Sequence, residues 1–166
     1  MRRFGVLNLA LLLCCAACGV RYGFVGGGLP AHIRTVAVLP FENETSAPEL
    51  QRELFELLRR QMHSRLGLRE GPESTADALV RGTIRTYDVD IPVGFSSDPQ
   101  QAVTARRKLQ LTIDIEIVDQ SNGRILWERR GLRAEGEYAE RAEADGRRSA
   151  LEKIVGDVIE GAQSQW

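Results

Sequence analysis

Residues 109–117 read LQLTIDIEI, and this alternation of apolar and polar side chains is the clearest pattern in the chain. Leucine or isoleucine occupies every odd position, and Gln, Thr, Asp and Glu occupy the even positions. A period of two is typical of a β-strand with one buried face and one solvated face. We therefore predict a strand over residues 103–119 and expect the remaining elements to cover its apolar face.

The segments on either side of this strand are predicted to pair with it. An Asn-Gly turn at residues 122–123 leads into a returning strand at 124–138, in which Trp127 is expected to lie in the core. Residues 78–91 also alternate, but the apolar register changes from even to odd positions near Thr86. Since a one-residue change of register turns every side chain to the other face, we expect a bulge or bend there.

Two further strands and two helices complete the predicted fold. The apolar run at residues 34–41 indicates a strand buried on both faces, and residues 68–70 a short one. Helical spacing of leucines predicts an amphipathic helix at 46–66, starting at a Ser46–Glu49 capping box and ended by Gly67. The same spacing predicts a second helix at 143–163.

The order of these elements is strand, helix, short strand, three antiparallel strands and helix. This order predicts an α+β fold, with two helices packed on one face of a mostly antiparallel four- or five-stranded sheet.

The N-terminus has the composition of a secretory leader. Arg2 and Arg3 precede an apolar stretch at residues 4–13, which is too short for a transmembrane helix. Ala16-Ala17-Cys18 resembles a bacterial lipobox, although the third position before the cysteine is usually Leu and is Cys15 here. We predict a lipoprotein signal peptide at 1–17, a lipidated N-terminus and flexible tether at 18–32, and a single domain at 33–166. The alternative is an ordinary cleaved signal that leaves Cys18 as a free thiol.

Composition narrows the possible functions. All three cysteines lie in the first 18 residues, so the predicted domain is expected to fold without a disulfide. Loss of the leader leaves 20 of the 22 basic residues against 23 acidic ones, which gives no global positive field for nucleic acid. His32 and His63 have no metal-ligand spacing, and we expect neither a metal nor another cofactor.

No catalytic pattern is present in the sequence. It contains no GxSxG or HExxH motif and no Ser/His/Asp order or Cys/His pair. We predict that the chain is not an enzyme and has no catalytic residues.

The solvated face of the predicted sheet carries the candidate binding residues. Alternation places four basic side chains on this face: Arg81, Arg85, Arg106 and Lys108. Such a set can bind phosphate or carboxylate groups, with arginine binding through its bidentate fork. The alternative is that Asp114, Glu116 and Glu128 neutralise these side chains in cross-strand ion pairs.

Four stretches together resemble the LptE family of lipopolysaccharide-assembly lipoproteins. They are residues 18–22 (CGVRY), 27–43 (GGLPAHIRTVAVLPFEN), 76–84 (ADALVRGTI) and 123–128 (GRILWE). The resemblance implies an outer-membrane lipoprotein that is lipid-anchored through Cys18 and faces the periplasm. It further implies a plug in the lumen of an LptD-like β-barrel, lipopolysaccharide binding, and help in inserting lipopolysaccharide into the outer leaflet. No nucleic acid is expected as a partner.

A second resemblance gives the alternative function. The strand exit at residues 36–43 is also similar to CsgG-like secretion lipoproteins and to LpoB-like activators of cell-wall synthases. Charged side chains in the middle of the long predicted strands argue against a pore hairpin in contact with lipid.

Overall fold

A computed structural model describes residues 28–92, 106–139 and 141–164. Cys18, the predicted signal peptide and residues 93–105 lie outside the described residues. The elements are β1 (Thr35–Val38), β2 (Glu42–Asn43), α1 (Glu49–Leu66), β3 (Arg69–Glu70), β4 (Ala78–Pro92), β5 (Arg106–Asp119), β6 (Arg124–Ala139) and α2 (Glu143–Ser164).

The six strands form one mixed sheet. Its order is β3-β1-β4-β5-β6, and β2 pairs with β4 beside β1. The long strands β4, β5 and β6 are antiparallel neighbours, as predicted. The short strands differ from the prediction, because β1 runs parallel to both β3 and β4, and β2 runs parallel to β4. The α+β class with two helices on one face is confirmed, with one strand more than predicted.

The odd positions of the opening stretch form the centre of the core. Leu109, Leu111 and Ile113 are fully buried, and the polar residues between them are half-buried on the other face of the sheet. They share one apolar cluster with Leu54 of α1 and Ile154 of α2. Trp127 belongs to the same cluster at 3% exposure, which confirms its predicted place.

The change of register in β4 is a bulge, as the sequence predicts. The pairing of β4 with β5 shifts between Ile84 and Thr86. A second irregularity lies between Asp88 and Ile91, where Asp90 has a positive φ of 61°. At the first bulge the extra residue lets both Ile84 before it and Tyr87 after it contact the apolar cluster.

The predicted start of α1 is wrong, although its end is as expected. The N-cap position is Pro48, and no side chain caps the helix. Upstream, the hydroxyl of Thr45 accepts the backbone N–H of Ala47 at 3.2 Å, and the Asn43 side chain accepts the N–H of Thr45 at 3.0 Å. This local turn replaces the predicted capping box at Ser46. Gly67 ends the helix with a φ of 68°.

The described end of the predicted tether contacts the domain. Leu29 packs against the core, and His32 Nε2 lies 2.8 Å from Oδ2 of Asp119 at the end of β5. Asp119 is 1% exposed, and no other buried polar or charged residue occurs among residues 28–92, 106–139 and 141–164. The chain therefore enters β1 from a position held against the β5–β6 turn.

Candidate functional site

The outer face of the sheet, opposite the helices, carries the predicted basic residues. Arg81 and Arg85 lie on β4, while Lys108 and Arg106 lie on β5. The structure describes the backbone of Arg106 and not its side chain. Alternation in β5 places residues 108, 110, 112, 114 and 116 on the same face.

Both β4 arginines lie in ion pairs. The guanidinium of Arg81 donates to the carboxylate of Glu116 on the neighbouring strand. Arg85 donates from Nε to Asp114 at 2.8 Å and from Nη1 to Glu44 at 2.6 Å. Two of the acidic residues that the sequence offered as neutralising partners, Asp114 and Glu116, therefore have that role.

Asp114 is fixed in its charged form by the backbone and by Arg85. The N–H of Gly131 donates to Asp114 Oδ1 at 2.7 Å, and this bond, followed by that from Arg85, lowers the pKa of the Asp114 carboxyl. Gly131 has a φ of 63° at a bulge in β6, a conformation that favours glycine. The pKa of Arg85 is raised by its bonds to Glu44 and Asp114. The arrangement holds opposite charges together and leaves neither group ready to transfer a proton.

A shallow depression of about 580 Å³ surrounds these pairs, and its charge is mixed. Three arginines line it, Arg81, Arg85 and Arg130, against four acidic side chains. The acidic residues are Glu42, Asp114, Glu116 and Glu128. Arg81 and Arg85, two of the four predicted basic residues, therefore lie in a surface with no excess of positive charge.

The other half of the set lies far along the sheet. Lys108 lies six positions before Asp114 in β5, which corresponds to about 20 Å in a strand. Lys108 Nζ lies 3.2 Å from Glu135 of β6, and Arg106 is two residues further from Asp114. The structure thus places the four predicted residues in two separate groups, one of which borders the undescribed segment 93–105.

Within the described ranges, no group of three His, Cys, Asp or Glu side chains is placed to hold a metal ion. Neither α1 nor α2 combines the length and the apolar content of a membrane-spanning helix.

A second surface was not predicted from the sequence. A groove of about 630 Å³ lies between α1 and β3, with Arg59, Arg60 and Arg69 along it. The sequence placed the first two on the polar face of a helix and Arg69 in a short strand. Only the contact between α1 and β3 brings the three together, and no spacing within the sequence signals that contact.

Solved structures of low sequence identity share this fold. A PelC dodecamer from Paraburkholderia phytofirmans has a TM-score of 0.55 and 17% identity, covering 83% of this chain and 94% of that one. Protein XCC0632 from Xanthomonas campestris has a TM-score of 0.53 and 8% identity, covering 75% of this chain and 81% of that one. The hypothetical protein CT253 from Chlamydia trachomatis has a TM-score of 0.51 and 13% identity, covering 77% and 96%. These similarities concern the fold alone.

Sequence comparison identifies the family. No curated protein matches the chain. The sequence model of the LptE family, described as lipopolysaccharide-assembly, matches residues 33–160, which include every strand and nearly all of α2. The chain therefore belongs to the LptE family of lipopolysaccharide-assembly proteins.

Proposed function

We propose that this chain is an outer-membrane lipoprotein, anchored through Cys18 and facing the periplasm. There it occupies the lumen of an LptD-like β-barrel and assists the insertion of lipopolysaccharide into the outer leaflet. The observation that carries the proposal is the family match over residues 33–160. The lipobox-like Ala16-Ala17-Cys18 supports the anchor, because two acyl chains on one cysteine give stable membrane attachment.

The outer face of the sheet supports the role of a plug. The interior of a transmembrane β-barrel is polar, and a plug has to present polar side chains to it without leaving single charges unpaired. Arg81 with Glu116, and Arg85 with Glu44 and Asp114, form such a surface of paired charges. This arrangement suits binding and does not suggest catalysis.

Co-purification tests the barrel partner directly. When the tagged full chain is extracted from outer membranes in mild detergent, we expect a large β-barrel protein to be recovered in about equimolar amount. The measurement is mass spectrometry of the purified complex together with its mass by light scattering. Recovery of a cell-wall synthase would instead support the LpoB-like alternative. A ring containing only this chain would support a CsgG-like role, and either result would contradict the proposal.

We propose that lipopolysaccharide binds the basic residues of the outer face, which are Arg81, Arg85, Arg106 and Lys108. The group formed by Lys108 and Arg106 is the better place for a first test, because Lys108 has one ion-pair partner, Glu135, and Arg85 has two. Reversing both charges in an Arg106→Glu/Lys108→Glu variant should weaken lipopolysaccharide binding by about tenfold or more, since a bond to a charged group contributes about 1.5–3 kcal/mol.

The matched control for this variant is Arg52→Glu/Arg148→Glu, which makes the same change in net charge on the two helices. Binding is measured by fluorescence titration of the purified full chain with lipopolysaccharide, and thermal unfolding shows whether each variant is folded. Equal losses in both double variants would indicate a general charge effect. Unchanged binding in the Arg106/Lys108 variant would remove these residues from the site.

A further inference from the structure

The groove between α1 and β3 lies on the helix side of the sheet, beside the two-residue edge strand β3. Val36, Val38 and Leu68 form its floor, and Arg59, Arg60 and Arg69 lie along its sides. Its volume of about 630 Å³ is within the range of sites that bind a drug-sized ligand. We call it the α1–β3 groove.

The charge of the α1–β3 groove is positive by one. Three arginines line it against Glu56 and Glu70, and both glutamates already have partners. Arg59 lies 3.0 Å from Glu70, and Arg60 lies 3.8 Å from Glu56. In the part of the chain that the structure describes, Arg69 makes no ion pair and its guanidinium is available to an anion.

The floor of the groove argues against a lipid tail as its occupant. Val36, Val38 and Leu68 are 3%, 9% and 4% exposed, so the protein itself already covers them. An acyl chain binds by burying apolar surface, and little apolar surface remains here. The charged sides dominate, and an arginine fork fits the two oxygens of a carboxylate.

The backbone of β1 adds a second element of recognition. The carbonyls of Arg34 and Val36 accept bonds from Arg69 and Gly71, so even residues of β1 direct their backbone groups toward β3. The backbone groups of Val38 point in the same direction. Val38 lies beyond Val36, which is the last residue of β1 that pairs with β3. An extended segment in the groove can therefore pair with Val38 as a short added strand, a known mode of peptide recognition.

We propose that the α1–β3 groove binds an extended segment of a partner protein through an acidic side chain that pairs with Arg69. The proposal does not depend on the identity of the barrel or on lipopolysaccharide binding. Arg59, whose guanidinium lies 5.4 Å from the centre of the Phe55 ring, is held in position to flank the bound segment.

A random decapeptide library displayed on phage and selected against the full chain tests this proposal. We expect the selected peptides to contain Asp or Glu next to β-branched or aromatic residues. A synthetic copy of the most enriched peptide should bind at least tenfold more weakly to an Arg69→Glu variant, as measured by fluorescence anisotropy. The matched control, Arg148→Glu on the exposed surface of α2, should bind within twofold of the unchanged chain.

Two further measurements test the α1–β3 groove in case the Arg69→Glu substitution disturbs β3. Thermal unfolding checks each variant, and Arg60→Glu on the stable helix α1 should also weaken peptide binding. Absence of any enriched peptide would overturn the proposal, as would peptides whose binding is insensitive to both substitutions. Binding of the soluble anionic lipid dihexanoylphosphatidylglycerol in an Arg69-dependent manner, with no peptide selected, would assign the groove to a lipid instead.

Discussion

Replacement of Gly136 by alanine is expected to lower the free energy of unfolding by about 3 kcal/mol, at the upper end of the usual cost of overpacking. Gly136 lies near the C-terminal end of β6, against the start of α2. A Cβ atom at this position would collide with the backbone carbonyl oxygen of Gly146 in the first turns of α2. Since the obstacle is backbone and not the end of a flexible side chain, the helix would have to move away from the strand.

Gly156 of the same helix is the matched control for this prediction. A Cβ built at Gly156 has no neighbouring atom within 4 Å, so alanine fits there without displacement. Because alanine favours the helix over glycine, Gly156→Ala should raise the free energy of unfolding by about 0.5–1 kcal/mol. Urea denaturation of the two variants followed by circular dichroism measures both changes. Similar effects of the two substitutions would mean that β6 and α2 are not as closely packed as described.

The alternation in β5 could be predicted from the sequence, whereas the close approach of α2 at Gly136 could not. A pattern such as LQLTIDIEI reports which side of a strand is buried, because burial selects residue type at every second position. The same reasoning correctly located the bulge near Thr86, and the helix-stopping glycine Gly67 correctly located the end of α1. Gly136 belongs to no such periodic pattern. The space for a side chain at this position is limited by the backbone of Gly146 in α2, ten residues further along the chain.

The short strand at residues 68–70 was predicted, but β2 and the start of α1 were not, for a related reason. The strand β2 has two residues, Glu42 and Asn43, and its pairing depends on the bulged half of β4. The start of α1 was mispredicted because the Asn43 and Thr45 side chains bond to the nearby backbone and form a turn. Side-chain hydrogen bonds to the nearby backbone compete with a helix cap, and tertiary contacts decide which of the two forms.

For the candidate site, the alternation predicted on which face of the sheet each basic residue lies, but not how close together these residues are along the strands. Arg85 and Lys108 were both expected on the solvated face, and the strand register then separates them by about 15 Å. Glu44 could not be assigned to Arg85 from the sequence, because it precedes Arg85 by 41 residues and reaches it through β2. The neutralising role of Asp114 and Glu116 was one of the two alternatives that the sequence left open.

Replacement of Asp119 by asparagine is expected to lower the free energy of unfolding by about 2 kcal/mol at neutral pH. The buried carboxylate accepts the backbone N–H of Ser121 at 2.9 Å and its hydroxyl at 2.6 Å. It also accepts the Asn122 side chain at 2.9 Å and contacts His32 at 2.8 Å. An amide cannot accept all these bonds, because its nitrogen is itself a donor. The loss should loosen both the β5–β6 turn and the segment that leads from the predicted tether into β1.

The effect of this substitution should depend on pH in a definite direction. The hydroxyl of Ser121, and then His32, lower the pKa of Asp119 from 3.8 to about 2 in the folded chain. A carboxyl whose pKa is lower in the folded state stabilises the fold fully above its unfolded pKa, and this contribution is lost as the pH falls through the folded pKa. The difference between the unchanged chain and Asp119→Asn should therefore shrink as the pH falls from about 4 to about 2.

Asp88→Asn is the control, because Asp88 is an exposed carboxylate on β4, and we expect its replacement to change the free energy of unfolding by less than about 0.5 kcal/mol. Urea denaturation of all three proteins at a series of pH values gives the comparison. Equal behaviour of the Asp88 and Asp119 variants would show that the buried carboxylate does not hold the turn. A difference that persists undiminished at pH 2 would show that the lost contribution comes from side-chain shape and not from charge. Because Asp119 contacts His32, a confirmed loss would also indicate that this carboxylate helps to hold the segment that leads from the predicted tether into β1.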